Sequence, residues 1–189
     1  MRSVLRPLLL LAAALLAAMA LGACGNKAEE ITQGESEGNY LDLGQLKYQV
    51  QISRQLNPAD EEDKAYLLGV QPEDRELASD ETWYGIFIRV QNVTGTTRPA
   101  AREFEIRDTQ DNVLRPLELG PENVFAYRAA PVPKESTIPT LDSAGAEGTI
   151  QGSLLLFKVP YENLQNRPLE FEVVDPENPG TRAKVALDV

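Results

Sequence analysis

Thr82-Trp83-Tyr84-Gly85-Ile86-Phe87-Ile88-Arg89-Val90-Gln91 is the stretch whose pattern decides the fold. Tyr84, Ile86, Ile88 and Val90 recur at every second residue, the period of an extended strand and not of a helix. Trp83 and Phe87 fall on the opposite face. The strand is therefore expected to be central, or to have its outer side covered by the polar loop around Pro72. Left uncovered, that pair of rings would form a contact site.

Upstream, Leu46, Tyr48, Val50 and Ile52 alternate with polar residues as a half-buried strand. Asn57-Pro58 then introduces the acidic run Asp60-Glu61-Glu62-Asp63. With Asn57 as cap, Pro58 in the first helical position and acids in the first turn, one short helix is expected near residues 58–68. Downstream, Asn92-Val93-Thr94 matches a glycosylation sequon but reads as turn chemistry. Phe104 and Ile106 mark a strand, Asp108 to Asn112 a tight connection, and Val113-Leu114 a return strand that Pro116 confines to an edge or bulge.

Asn123 to Tyr127 is expected to add a short strand and Ala129 to Leu141 an extended loop. The segment Gly148 to Pro160 is apolar on both faces near its middle, as a central strand requires. Leu169, Phe171 and Val173, then Ala183, Val185, Leu187 and Val189, complete a set of about seven or eight strands with almost no helical period. That pattern specifies an all-β antiparallel sandwich of two sheets.

The N-terminus carries a different message. Arg2 and Arg6 precede an apolar run from Leu8 to Leu21, the arrangement of an export signal. Its roughly 14 residues fall short of the about 20 needed to span a bilayer. Leu21-Gly22-Ala23-Cys24 closely resembles the lipobox of bacterial lipoproteins, with cleavage between Ala23 and Cys24. That resemblance makes Cys24 the lipid attachment residue, its thiol alkylated by diacylglycerol with acyl chains of the palmitate class. More than one chain gives stable anchoring. Residues 1–23 are thus read as signal peptide, 24–39 as lipidated Cys24 and tether, and 40–189 as the folded domain at the extracytoplasmic face of the cell membrane. As a coil of about 15 residues, the tether would reach roughly 20 Å on average and at most about 50 Å.

Composition excludes more than it specifies. The chain has no His, its two Met (Met1 and Met19) lie in the signal, and its one Cys is the expected lipid carrier. Zinc, copper, haem and iron–sulfur sites, disulfides, and Ser-His-Asp or Cys-His catalysis all lack their side chains, so no cofactor and no enzymatic activity are expected. The net charge of −11 becomes more negative once Arg2 and Arg6 leave, which disfavours nucleic acid and anionic headgroups as partners.

Arg89-Val90-Gln91-Asn92-Val93-Thr94, Phe104-Glu105-Ile106-Arg107-Asp108, Gly152 to Pro160 and Leu169-Glu170-Phe171 together resemble the immunoglobulin-like domain of unknown function common in bacterial surface lipoproteins. That family is similar in fold to a small secreted mycobacterial immunogen. The resemblance covers roughly residues 45–175 and implies an immunoglobulin-like sandwich without catalytic residues to transfer. The expected function is a lipid-anchored, non-catalytic binding module that meets an envelope protein through its loops. Tyr66, Trp83, Phe125 and Tyr127 are the candidate binding aromatics. Two alternatives use the acids: calcium binding by Asp60, Glu61, Glu62 and Asp63 or by Asp108 with Asp111, and, less favoured, a hydrolase built on paired carboxylates.

Overall fold

The computed structural model describes residues 30–189. Ala23, Cys24 and the expected signal lie outside the described residues. In chain order the elements are β1 (Gln33–Gly34), β2 (Tyr40–Leu43), β3 (Leu46–Leu56), α1 (Glu61–Tyr66), β4 (Glu81–Gln91), β5 (Arg98–Pro99), β6 (Phe104–Arg107), β7 (Val113–Leu114), β8 (Pro131–Val132), β9 (Thr137–Ile138), α2 (Ala144–Glu147), β10 (Ser153–Pro160), β11 (Glu170–Val174) and β12 (Arg182–Ala186). No helix among the described residues is long and apolar enough to cross a membrane.

Two sheets face each other in the expected sandwich. The first runs β10-β4-β3-β2, with β9 pairing the end of β4, and the second runs β1-β12-β11-β6-β7. Between them lie Tyr48, Tyr84, Ile86, Ile88 and Val90 from the first sheet and Phe104, Ile106, Phe171, Val173 and Val185 from the second. The alternation in β4 supplies one half of this core. A bulge between Val50 and Ile52 resets β3, so that Ser53 pairs with Ile86 and faces inward while Ile52 pairs with Phe87 and faces out.

The first sheet is buried on its outer side too. Trp83, Phe87, Leu154 and Leu156 pack there against Tyr66, Val70, Leu119 and, more peripherally, Phe125. The cover expected from the loop around Pro72 is supplied mainly by residues 61–70 and 117–126, and that loop contributes only a rim. There Lys158 lies 5.7 Å from the Trp83 ring centre and donates to the Glu76 carbonyl at 3.0 Å. The two covering segments meet at a point that only glycine fits. Gly69 has φ of +75°, and an added Cβ would lie 2.9 Å from the Gly120 nitrogen. Gly69→Ala is expected to cost about 2 kcal/mol in urea denaturation, from the left-handed backbone and that clash.

Local chemistry moves several boundaries. Helix α1 starts later than Asn57-Pro58 suggests: the Asn57 side chain accepts from Ala59 N at 3.0 Å, and Asp60 is the cap, its carboxylate accepting from Glu62 N and Asp63 N. Residues 123–127 form no strand, because Asn123 is a hub. Its amide donates to the carbonyls of Tyr66 and Leu68, leaving a single parallel bridge from Ala126 to Leu154. The loop 129–141 contains β8 and β9. Asn92 is buried, with its side chain donating to the Thr96 and Val132 carbonyls and accepting from Thr94, so the sequon is turn chemistry.

The expected tether also ends early. Asp42 N donates to the Ile31 carbonyl at 2.6 Å, and Lys184 N donates to the Thr32 carbonyl at 2.9 Å, so the segment bridges both sheets. β1 pairs parallel to β12, and Glu37 accepts from Ser53 N and Asp188 N. Residues 31–39 therefore close one side of the sandwich and cover the outer edges of β2 and β12. Polar composition hid this, because the anchoring bonds go mostly through backbone.

Candidate functional site

Of the four candidate binding aromatics, Tyr66 and Trp83 are buried in the outer core, while Phe125 and Tyr127 are partly buried against the cores and Tyr127 also lines a cleft beside β10. Tyr66 and Trp83 are only 2% and 4% exposed. Tyr66 meets Phe87 and Phe125 edge to face, each at 4.9 Å between ring centres, and Phe104 meets Tyr127 likewise at 5.0 Å. The Tyr127 hydroxyl donates to the Ala101 carbonyl at 2.8 Å, and Ala101 N donates to the Tyr48 hydroxyl at 2.8 Å. Burial pushes the Tyr48 and Tyr66 hydroxyls up to about 12. The rings are needed because two apolar layers must be filled, one between the sheets and one on the outer side of the first sheet.

The acidic clusters are likewise committed to structure. The buried Asp63 carboxylate pairs with the half-buried Arg54 and accepts from Asn57 N at 2.7 Å. Its burial acts to raise its pKa, but the Arg54 bond and charge hold the carboxylate below the usual range. Asp108 accepts from Gln110 N and Asn112 N at 2.9 Å each and from the amides of Asn112, Asn163 and Asn166 at 2.8, 2.8 and 2.9 Å. Asp111 stands in the adjoining turn at φ of +62°. Neither cluster converges its oxygens as calcium requires, and among the described residues no group of three His, Cys, Asp or Glu could hold a metal.

The outer face of the second sheet carries charge instead of a covering layer. Arg182 reaches Glu105 and Glu172 at 2.9 Å each, Arg107 reaches Glu172 at 3.2 Å, and Lys184 reaches Glu170 at 2.9 Å. Burial acts to raise the Glu105 pKa, and the bonds and charges of Arg182 and Arg115 bring it below the ordinary value. Glu105 and Glu172 lie directly opposite each other on β6 and β11, and Arg107, Arg115 and Arg182 around them neutralise the paired carboxylates.

What remains is a cleft. On the side of the sandwich opposite β1, segments 116–119 and 126–129 stand apart along the outer edge of β10 and enclose about 380 Å³. Leu154, Leu155 and Phe104 back the cleft but are almost fully buried, the partly buried Tyr127 lines it, and Arg102, Glu118 and Arg128 bring charge of both signs. Arg128 is a strut, donating to the carbonyls of Leu119 at 2.7 Å and Gly120 at 2.5 Å. Arg102 has no hydrogen bond or ion pair among the described residues, and its charge is felt at the Tyr127 hydroxyl. The outer edge of β10 is already engaged by Leu117, Phe125 and Tyr127 through backbone bonds of 2.7–2.8 Å.

Sequence comparison finds no matching family model and no curated protein of significant similarity. Solved structures do share the fold. The chain is similar to the yjhA protein of Bacillus subtilis, with a TM-score of 0.55 and 13% identity over 82% of this chain and 99% of that one. Weaker likeness extends to the lipoprotein candidate ycdA of Bacillus subtilis (TM-score 0.47, 10% identity, 85% of this chain and 39% of that one). A β-sandwich protein of Clostridium difficile gives a TM-score of 0.43 at 10% identity, over 86% of this chain and 99% of that one. At such identities the likeness to yjhA concerns the sandwich itself. Of the cleft residues, Tyr127 is among the aromatics singled out from sequence, whereas Arg102 and Arg128 were not, since they sit in irregular segments brought together only by tertiary structure. Their one sequence signal is positive charge in an acidic chain.

Proposed function

We propose that the chain is a lipid-anchored, non-catalytic binding module of the immunoglobulin-like lipoprotein type, displayed at the extracytoplasmic face of the cell membrane. The carrying observation is Leu21-Gly22-Ala23-Cys24 closing a short apolar leader ahead of this sandwich. The commitment of the acid clusters to capping and pairing weighs against carboxylate chemistry. The cleft along β10 is the place for a ligand, in keeping with concave sites formed between structural layers.

The anchoring is tested by Cys24→Ala in the full-length chain, followed by membrane fractionation and mass spectrometry of the N-terminus. The expected result is loss of the acylated form and release from the membrane or retention as unprocessed precursor, with the domain's melting temperature unchanged. An acylated, membrane-held Cys24→Ala protein overturns the reading.

A further inference from the structure

We propose that residues 31–39 are a strap that opens as one unit while the sandwich stays folded, and that Glu37 is its latch. The strap is bound differently from the layer over Trp83 and Phe87, which is held by burying Tyr66, Val70 and Leu119. Ile31 is its only large apolar residue, and that side chain is 54% exposed. Beyond the Gln33–Gly34 pairing with β12, its main-chain bonds are few. The Ile31 and Thr32 carbonyls accept from Asp42 N and Lys184 N, Ile31 N donates to the Asp42 carboxylate, and Gly38 N donates to the Val50 carbonyl while its own carbonyl accepts from the Gln49 amide. Gly34 lies close against the domain, where an added Cβ would come within 3.0 Å of Val185 Cγ2 and 3.4 Å of Leu41 Cδ2. A rim segment held mainly by hydrogen bonds, without apolar side chains of its own to bury, opens at a lower free energy than the core.

Among the described residues, Glu37 is the one strap side chain that bonds to the rest of the domain. Its carboxylate accepts from Ser53 N at 2.9 Å, from Asp188 N at 3.1 Å and from the Ser53 hydroxyl. Ser53 belongs to β3 and Asp188 follows β12, so one charged group ties the strap to both sheets. β2 pairs with β3 only as far as Gln49, and Glu37 meets the β3 edge beyond that point. Opening leaves no buried group without a partner there. The Ser53 hydroxyl keeps the Tyr84 hydroxyl at 2.6 Å, and Ser53, Tyr84 and Asp188 line an open hollow of about 270 Å³ that water can enter.

The test is backbone amide hydrogen exchange, followed by NMR, on the chain from residue 24 onward with Cys24→Ser. Asp42 and Lys184 report the opening, because their amides donate to the Ile31 and Thr32 carbonyls, at the end of the strap remote from Glu37. Both should be protected to the same degree, and about a hundredfold less than the central β4 amides. Glu37→Gln should lower the protection of both about tenfold and leave β4 unchanged; Gly34→Val should do the same by crowding Val185 and Leu41. Glu35→Gln, which removes a neighbouring charge that bonds nothing among the described residues, should leave both amides as they are. Protection of Asp42 and Lys184 equal to that of β4, a Glu37→Gln effect confined to Ser53 and Asp188, or an equal effect of Glu35→Gln overturns the proposal. Failure here leaves the anchored-module reading intact, because Cys24→Ala tests that independently.

Discussion

Asp108→Ala is expected to destabilise the domain by about 3–4 kcal/mol, measured by urea denaturation at neutral pH. One carboxylate satisfies two backbone N–H groups of its own turn and three amides, two of them on the 163–166 segment that leads into β11. Removing it leaves buried donors such as that of Asn163 unpaired and separates the β6–β7 turn from the next connection. The pH dependence carries a distinct signature. Burial acts to raise the Asp108 pKa, yet the bonds from Asn112, Asn166 and Gln110 hold it far below the usual carboxylate range. The unfolded chain, titrating near the ordinary value of about 3.9, therefore binds the proton first as pH falls. The stabilisation is complete above that value and is lost as pH drops toward the lower folded value. Asp108→Asn should start less stable at pH 7 and show a shallower decline below pH 4. An acid-side slope as steep as that of the wild type would contradict this role.

Phe87→Ala is the second large effect, expected at about 3–5 kcal/mol by the same measurement. Phe87 points away from the space between the sheets, where a two-layer sandwich would leave it to solvent and its loss would cost little. Here it is fully buried beneath Tyr66, 4.9 Å away, and an added Cβ at Gly152 would approach its own Cβ to 3.0 Å. Truncation opens a cavity under α1 and removes the ring against which Tyr66 packs. Faster proteolysis within residues 57–80 should accompany the loss of stability. A cost below about 1 kcal/mol would mean that the outer layer is not bound as described.

The sandwich was legible because its long strands carry their burial in their own sequence. β4 shows a clean two-residue period, and β10 is apolar on both sides because both its sides are covered. The pair Trp83 and Phe87 correctly demanded a cover. What could not be read was which segment supplies it, since the joint depends on one Asn123 amide reaching two carbonyls more than fifty residues away. Aromatic content likewise did not distinguish a hot spot from a second core: Tyr66 and Phe125 look the same in sequence whichever they serve. Of the cleft, only Tyr127 was legible, for a related reason. The cleft's walls are irregular segments held apart by Arg128 bonds to main-chain oxygens, and a carbonyl acceptor leaves no mark on residue identity. β1 was missed because two residues are too few to show a period.

That short strand has a mechanical consequence. Among the described residues the chain first bonds to the domain at Ile31, seven residues after Cys24, a contour of at most about 25 Å. For a chain anchored at Cys24 as proposed, a pull between bilayer and domain loads the Ile31, Thr32 and Glu37 bonds. Stripping residues 31–39 would pay out roughly 30 Å of slack while uncovering the edges of β2 and β12. In a chain anchored as proposed, the same few bonds would set both the height of the domain above the membrane and whether its sheet edges are open to a neighbouring chain.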